Sequence, residues 1–220
     1  MNNKELLPYD DILKEVFIYF SSIAFSDEQH KYINTKMAQY IYAIVNDKCS
    51  IEEFCASFFN LMEEVYFMSL KISEAVLSRW YTRWWWDGKV MSKEEQLSPL
   101  ESEIVSMGFL INGQVLKRKP KLAKSPVFYE FVRKVILDGR FERGRLSFIH
   151  QLLPRTRKSE GIDFLPFLND DQYAGWAILA LLNLKDGRFV KEAERFLERE
   201  PKHFYRRQIK RYIERYKENE

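Results

Sequence analysis

Glycine and proline are scarce, 8 and 7 among 220 residues, and cysteine and histidine are scarcer still, 2 and 3. So few helix breakers exclude a turn-rich β architecture, and long regular elements should dominate. No stretch keeps the alternation of a half-buried strand. Cys49 and Cys55 lie six positions apart, which is neither a CxxC pair nor a disulfide framework. His30, His150 and His203 are not paired at metal spacing. No HExxH, Gly-rich phosphate loop or nucleophile elbow occurs. The expectation is a non-catalytic protein without cofactor or metal. Nor is there an apolar run of bilayer length. Val16–Phe25 is too short to span, and Asp10, Asp11 and Glu15 stand where the basic region of a signal peptide would be. Two thiols in a chain without a signal fit a reducing cytoplasm, and no membrane partner is expected.

What is present is apolar surface and charge. Apolar residues make up 46% of the chain and aromatics 15%, too much for a disordered chain and enough for a sizeable core. The net charge of +3 conceals a polarity: residues 1–115 carry −7 and residues 116–220 carry +10. Such a molecule steers an oppositely charged partner to one end. The expected organisation is an acidic helical bundle over residues 1–112, a basic linker over 113–125, and a basic helical region over 126–220. The linker holds Gly113, Pro120 and the bases Lys117, Arg118, Lys119, Lys121 and Lys124.

Local signals place the helices. A first helix is expected over Tyr9–Phe25, and Ser26-Asp27 opens a second. Ser50-Ile51-Glu52-Glu53 is a capping box ahead of the stripe Phe54, Phe58, Met62 and Val65. Helix is expected to continue through Phe67–Trp86. Ser92-x-x-Glu95 and Ser98-Pro99-x-Glu101 are further starts, and Gly108 should stop the helix that the latter opens. Ser125-Pro126 restarts helix, Asp138-Gly139 turns, and Phe141–Leu153 is the next helix. His150 there reads as a core or boundary histidine. The basic run Arg155, Arg157, Lys158 leads into the last region. In that region Tyr173, Trp176, Ala177, Ala180, Leu181 and Leu184 line one helix face, with Asp170 or Asp171 as the cap and Gly187 as the left-handed stop. The last helix puts Tyr205, Ile209, Tyr212, Ile213 and Tyr216 on one side and Lys202, Arg206, Arg207, Lys210 and Arg215 on the other.

Two stretches carry resemblances. Phe164–Asp171, Ala177–Asp186 and Phe189-Val190 resemble a HEAT-type helical repeat: a short helix, an Asp turn, an Ala/Leu-rich helix and a second Asp turn. That resemblance implies an antiparallel helical-repeat region needing stacked neighbours. Tyr40–Phe59, with its Asn-Asp-Lys turn and Ser-x-x-Glu-Phe cap, is similar to the opening of helical bacterial immunity proteins of the colicin-immunity kind. This implies a protein that neutralises a cognate toxin by direct binding. Trp84-Trp85-Trp86-Asp87 loosely resembles the tryptophan and aspartate set of HEAT-like alkylpurine DNA glycosylases. Arg83, not tryptophan, stands four before Asp87, so no catalytic role carries over.

The fold class expected is therefore all-α, with an amino-terminal bundle packed on a short HEAT-like region. The expected partner-binding residues are Arg83, Trp84, Trp85, Trp86 and Asp87, because tryptophan clusters anchor interfaces, and Arg206, Arg207 and Lys210 on the basic side of the last helix. The expected partner is a cognate protein toxin. The alternative is a helical-repeat nucleic-acid binder, whose bases would contact phosphates.

Overall fold

The computed structural model describes residues 8–13, 25–81, 85–86, 89–90, 96–199 and 203–217. The protein is all-α. Helix α1 spans Asp27–Val45 and α2 Ile51–Ser69. Each begins with a reciprocal capping box, Ser26 with Gln29 and Ser50 with Glu53, so both free amides are satisfied at each start. Helix α3 comes next, over Glu74–Tyr81. The expected continuous helix through Phe67–Trp86 does not form: Leu70-Lys71-Ile72-Ser73 breaks it, and the Ser73 carbonyl accepts from the Val76 and Leu77 amides of α3. Trp85–Trp86 and Lys89–Val90 pair as a two-residue antiparallel ladder, with Trp85 opposite Val90. Of the first expected helix, residues 9–13 are helical, and residues 14–24 lie outside the described residues. Ser92 and Glu95 do too.

Helix α4 spans Pro99–Leu110 and carries the Ser98/Glu101 capping box. It does not stop at Gly108. The helix runs through that residue and passes into a π-helical turn, Ile111–Leu116. Gly108 serves close packing instead: a Cβ there would meet the Ser147 Cβ at 2.7 Å. Residues 113–125 continue through this turn and a 3-10 segment, Pro120–Lys124, in which Val115, Leu116 and Ala123 are buried. Lys119 forms an ion pair with Asp47.

Helix α5 spans Pro126–Leu137, with proline in its first turn and Ser125 accepting from the Val127 amide. The single helix expected over Phe141–Leu153 is instead three pieces. The first is a 3-10 segment, Gly139–Arg145, interrupted at Glu142 (φ 43°). The second is a π-helical turn, Phe148–Leu152, and the third is the short helix α6, Leu153–Thr156. Helices α7 (Leu165–Leu168), α8 (Asp171–Leu184), α9 (Val190–Glu198) and α10 (His203–Tyr216) complete the chain. Asp170 caps α8 by accepting from the Gln172 amide at 2.8 Å.

A continuous hydrophobic cluster joins both ends of the chain, from Phe58 and Met62 through Met107 and Phe128 to Ile178 and Tyr212. Polar contacts bind the same seam. Lys134 Nζ of α5 sits 3.5 Å over the Phe59 ring of α2, and Arg140 donates to Glu63 at 2.7 Å. No helix among the described residues is long and apolar enough to cross a membrane.

Candidate anion-binding cleft

Three segments far apart in sequence meet in one concavity. The 3-10 segment Pro120–Lys124, helix α6 with the turn after it, and the carboxyl end of α8 line an open cleft of about 540 Å³. Its apolar wall is Leu116, Pro120, Ala123, Pro154 and Leu184. Its polar lining is Lys124, Arg155, Arg157, Lys185 and the amide of Asn183. No carboxylate among the described residues lines it. The four cations are exposed, and no described carboxylate forms an ion pair with any of them.

Local structure explains how they converge. Two π-helical turns deliver the walls: Leu116 ends the first, and Pro154 lies just past the second. They are tied together by the Asn112 side-chain amide, which donates to Gln151 Oε1 at 3.1 Å. Each π turn inserts a residue into the helical register and so re-aims the residues beyond it, and such turns recur at functional sites. Arg157 and Lys185 are the C-caps of α6 and α8, and both take left-handed backbone, φ 59° and 62°. Left-handed backbone is ordinarily given to glycine. Gly187, expected to provide the stop after α8, does not: Lys185 does, and Gly187 instead admits the Tyr216 ring, which a Cβ would meet at 2.7 Å. The Thr156 hydroxyl fixes the turn bearing Arg157, donating to the Leu153 carbonyl at 2.7 Å and accepting from the Lys158 amide at 3.2 Å.

The acid next to Lys185 in the chain is already engaged. Asp186 adjoins Lys185 in the chain, but its carboxylate accepts from Arg188 Nη2 at 2.6 Å and from Ser159 Oγ. Burial works to raise the Asp186 carboxyl, and the Arg188 hydrogen bonds and charge outweigh it, holding the group below its ordinary value. The cleft therefore carries an unbalanced positive field. Interactions of this kind reach across about one Debye length, roughly 8 Å at physiological salt.

The sequence-predicted residues fall elsewhere. Arg83, Trp84 and Asp87 lie outside the described residues. Trp85 and Trp86 are described only as strand backbone, and their side chains lie outside the described part. Arg206, Arg207 and Lys210 are exposed on α10, whose Ile209, Tyr212 and Ile213 face inward, as the periodicity requires. They do not line the cleft. Sequence reasoning noticed Lys124, Arg155 and Arg157 only as parts of basic runs, and Lys185 only as part of the Lys185-Asp186-Gly187 stretch that stops α8. Nothing local links positions 124, 155 and 185.

Elsewhere the polar chemistry is buried. His150 is half-buried, with its ring 4.8 Å from Trp176, and burial pushes its pKa down. Burial raises the Cys55 thiol to about 12, well away from a reactive thiolate. Among the described residues no cluster of three or more His, Cys, Asp or Glu side chains could hold a metal ion. Compared with known proteins, the chain matches no family model, no curated protein and no solved structure.

Proposed function

We propose that this chain is a non-catalytic binding protein that recognises another protein, in the manner of a toxin-neutralising immunity protein, through its basic carboxyl-terminal surface. The observation that carries the reading is the convergence of Lys124, Arg155, Arg157 and Lys185 on one concave surface with no described carboxylate among them. Unbalanced charge of one sign on a concave surface speeds encounter with, and orients, a partner of the other sign. The exposed Arg206, Arg207 and Lys210 extend the basic character of this half. The expected partner presents an acidic segment to this surface and works in the same compartment, expected to be the cytoplasm.

A nucleic-acid partner is the second reading, favoured by the same four cations. A bounded cleft supports it less than a continuous basic groove would, because a polymer backbone needs phosphate contacts along its length. The test is purification of the tagged full-length chain from its own cells, with and without nuclease. A stoichiometric protein partner that survives nuclease, and whose toxicity the chain suppresses on co-expression, supports the first reading. Recovery of nucleic acid alone rejects it for the second.

A further inference from the structure

We propose that the cleft is a binding site for a small polyphosphorylated ligand with a flat apolar body, of the nucleoside di- or triphosphate class. The inference rests on reading this concavity as a binding surface, but not on the partner being a protein. Its volume, about 540 Å³, lies in the range of small-molecule sites and is bounded by three chain segments. The lining is divided chemically. Leu116, Pro120, Ala123 and Leu184 offer an apolar wall for a ring, and two arginines and two lysines offer the charge for phosphates. Guanidinium groups match phosphate oxygens in a fork, and ammonium groups add point charge. With no carboxylate among the described residues of the lining, phosphate charge would be met by these side chains directly.

The backbone argues in the same direction. Arg157 and Lys185 both hold left-handed conformations that glycine would take more easily. Both close a helix by hydrogen bonds of the left-handed cap, Arg157 N–H to the Pro154 carbonyl at 3.4 Å and Asp186 N–H, after Lys185, to the Leu181 carbonyl at 3.0 Å, and both caps lie in the cleft lining. An acidic peptide would bring carboxylates of lower charge density and no flat body. A nucleic-acid strand would have to run beyond the cleft, and the exposed cations of α10 lie outside its lining.

The experiment is titration calorimetry of the full chain at low ionic strength, without divalent metal, using adenosine triphosphate, inorganic pyrophosphate, citrate and a single-stranded oligonucleotide. The triphosphate should bind, and pyrophosphate should bind more weakly because it leaves the apolar wall empty. Citrate should be weaker than pyrophosphate by about tenfold. Lys185→Gly removes a charge while suiting the left-handed backbone, so the fold is kept. Arg155→Gln removes a charge at an exposed helical position. Each should weaken the triphosphate by about tenfold, with the circular dichroism spectrum and Tm retained. Equal binding of citrate and pyrophosphate would overturn the proposal, as would unchanged affinity in both variants, or binding of the oligonucleotide alone. Triphosphate binding without any captured protein partner would sink the protein-binding reading and leave this one standing; a captured partner with a silent titration would do the reverse.

Discussion

Glu101 and Arg143 form a bidentate pair inside the protein. Arg143 donates from Nε to Oε1 at 2.8 Å and from Nη2 to Oε2 at 2.9 Å, and its own backbone amide reaches Oε1 at 3.1 Å. Glu101 is 2% exposed, and the same residue closes the capping box of α4. One carboxylate thus starts a helix and clamps the 3-10 segment onto it. Arg143→Met leaves that carboxylate buried without its partner, which should cost about 3–5 kcal/mol. The double variant with Glu101→Gln should recover part of the loss. Urea unfolding monitored by circular dichroism measures both, and a single-variant loss below about 1 kcal/mol would show that the pair does not hold the segment.

Glu103, two residues on, has no such partner. It is 2% exposed, its Oε2 makes no hydrogen bond, and Nδ1 of His30 lies 3.9 Å from Oε1. Burial raises its pKa from 4.5 to about 8. The folded value lies above the unfolded one, so the folded state holds the proton more tightly. Its stabilising contribution is complete below the unfolded value of 4.5 and is lost as pH rises through about 8. The chain should therefore lose stability across that window, and Glu103→Gln should flatten the profile and be the more stable form at its alkaline end. The difference there should be on the order of a few kcal/mol. Parallel pH profiles with the same slope in both proteins would contradict this.

Short-range chemistry made much of the fold legible. Ser26, Ser50, Ser98 and Asp170 cap their helices as the sequence suggests, because a cap and its amides lie within three residues. The inward faces of α2, α8 and α10 come from helical period for the same reason. The parts that were not legible depend on distant neighbours. Gly108 reads as a stop because it lacks a side chain, but the helix passes through it because Ser147 occupies the space. Lys185, rather than Gly187, turns left-handed. The cleft is the extreme case, since its cations come from three segments brought together only by packing. Glu103 was missed too: a glutamate in the second turn of a helix reads as solvated, and only the folded chain buries it, with His30 beside it.

Two glycines should behave as packing residues. A Cβ at Gly144 would lie 2.6 Å from Ile104 Cβ and 2.9 Å from Cγ2, and one at Gly108 would strike Ser147. Alanine at either should cost about 1–3 kcal/mol through displaced packing. Gly113 is the control: nothing lies within 4 Å of its Cβ position, and it sits inside a helical turn. Gly113→Ala should stabilise by about 0.4–1 kcal/mol. Thermal unfolding of the three variants would refute the packing account if Gly108→Ala and Gly144→Ala matched Gly113→Ala.

Exposed charge on α10 allows a test that leaves the core alone. Reversing Arg206, Arg207 and Lys210 together to glutamate replaces exposed side chains only. If α10 belongs to the partner surface, affinity for the captured partner should fall by more than about tenfold, with Tm nearly unchanged. Added salt should weaken the parent complex more than the variant complex, since screening acts on the charges removed. Surface plasmon resonance at two ionic strengths reads both effects. An unaltered affinity would confine recognition to surfaces other than this helix face.

Tyr212 links α10 to the turn between α8 and α9 through one buried hydroxyl. The residue is fully buried, and its hydroxyl donates to the Asp186 carbonyl at 2.7 Å while accepting from the Phe189 amide at 3.3 Å. Burial is the main reason its pKa is raised well above the ordinary tyrosine value. Tyr212→Phe keeps the ring and its contact with Tyr216, 5.1 Å away, but leaves a backbone carbonyl and a backbone amide without this partner. The cost should be about 1–3 kcal/mol, set by the two stranded backbone groups rather than by lost packing. Because Asp186 directly adjoins Lys185, the effect should also reach the cleft: hydrogen exchange at the Asp186 and Phe189 amides should speed up before exchange in the centre of α8. Uniform acceleration along all of α8 would instead mean that the hydroxyl supports the helix as a whole, not the turn.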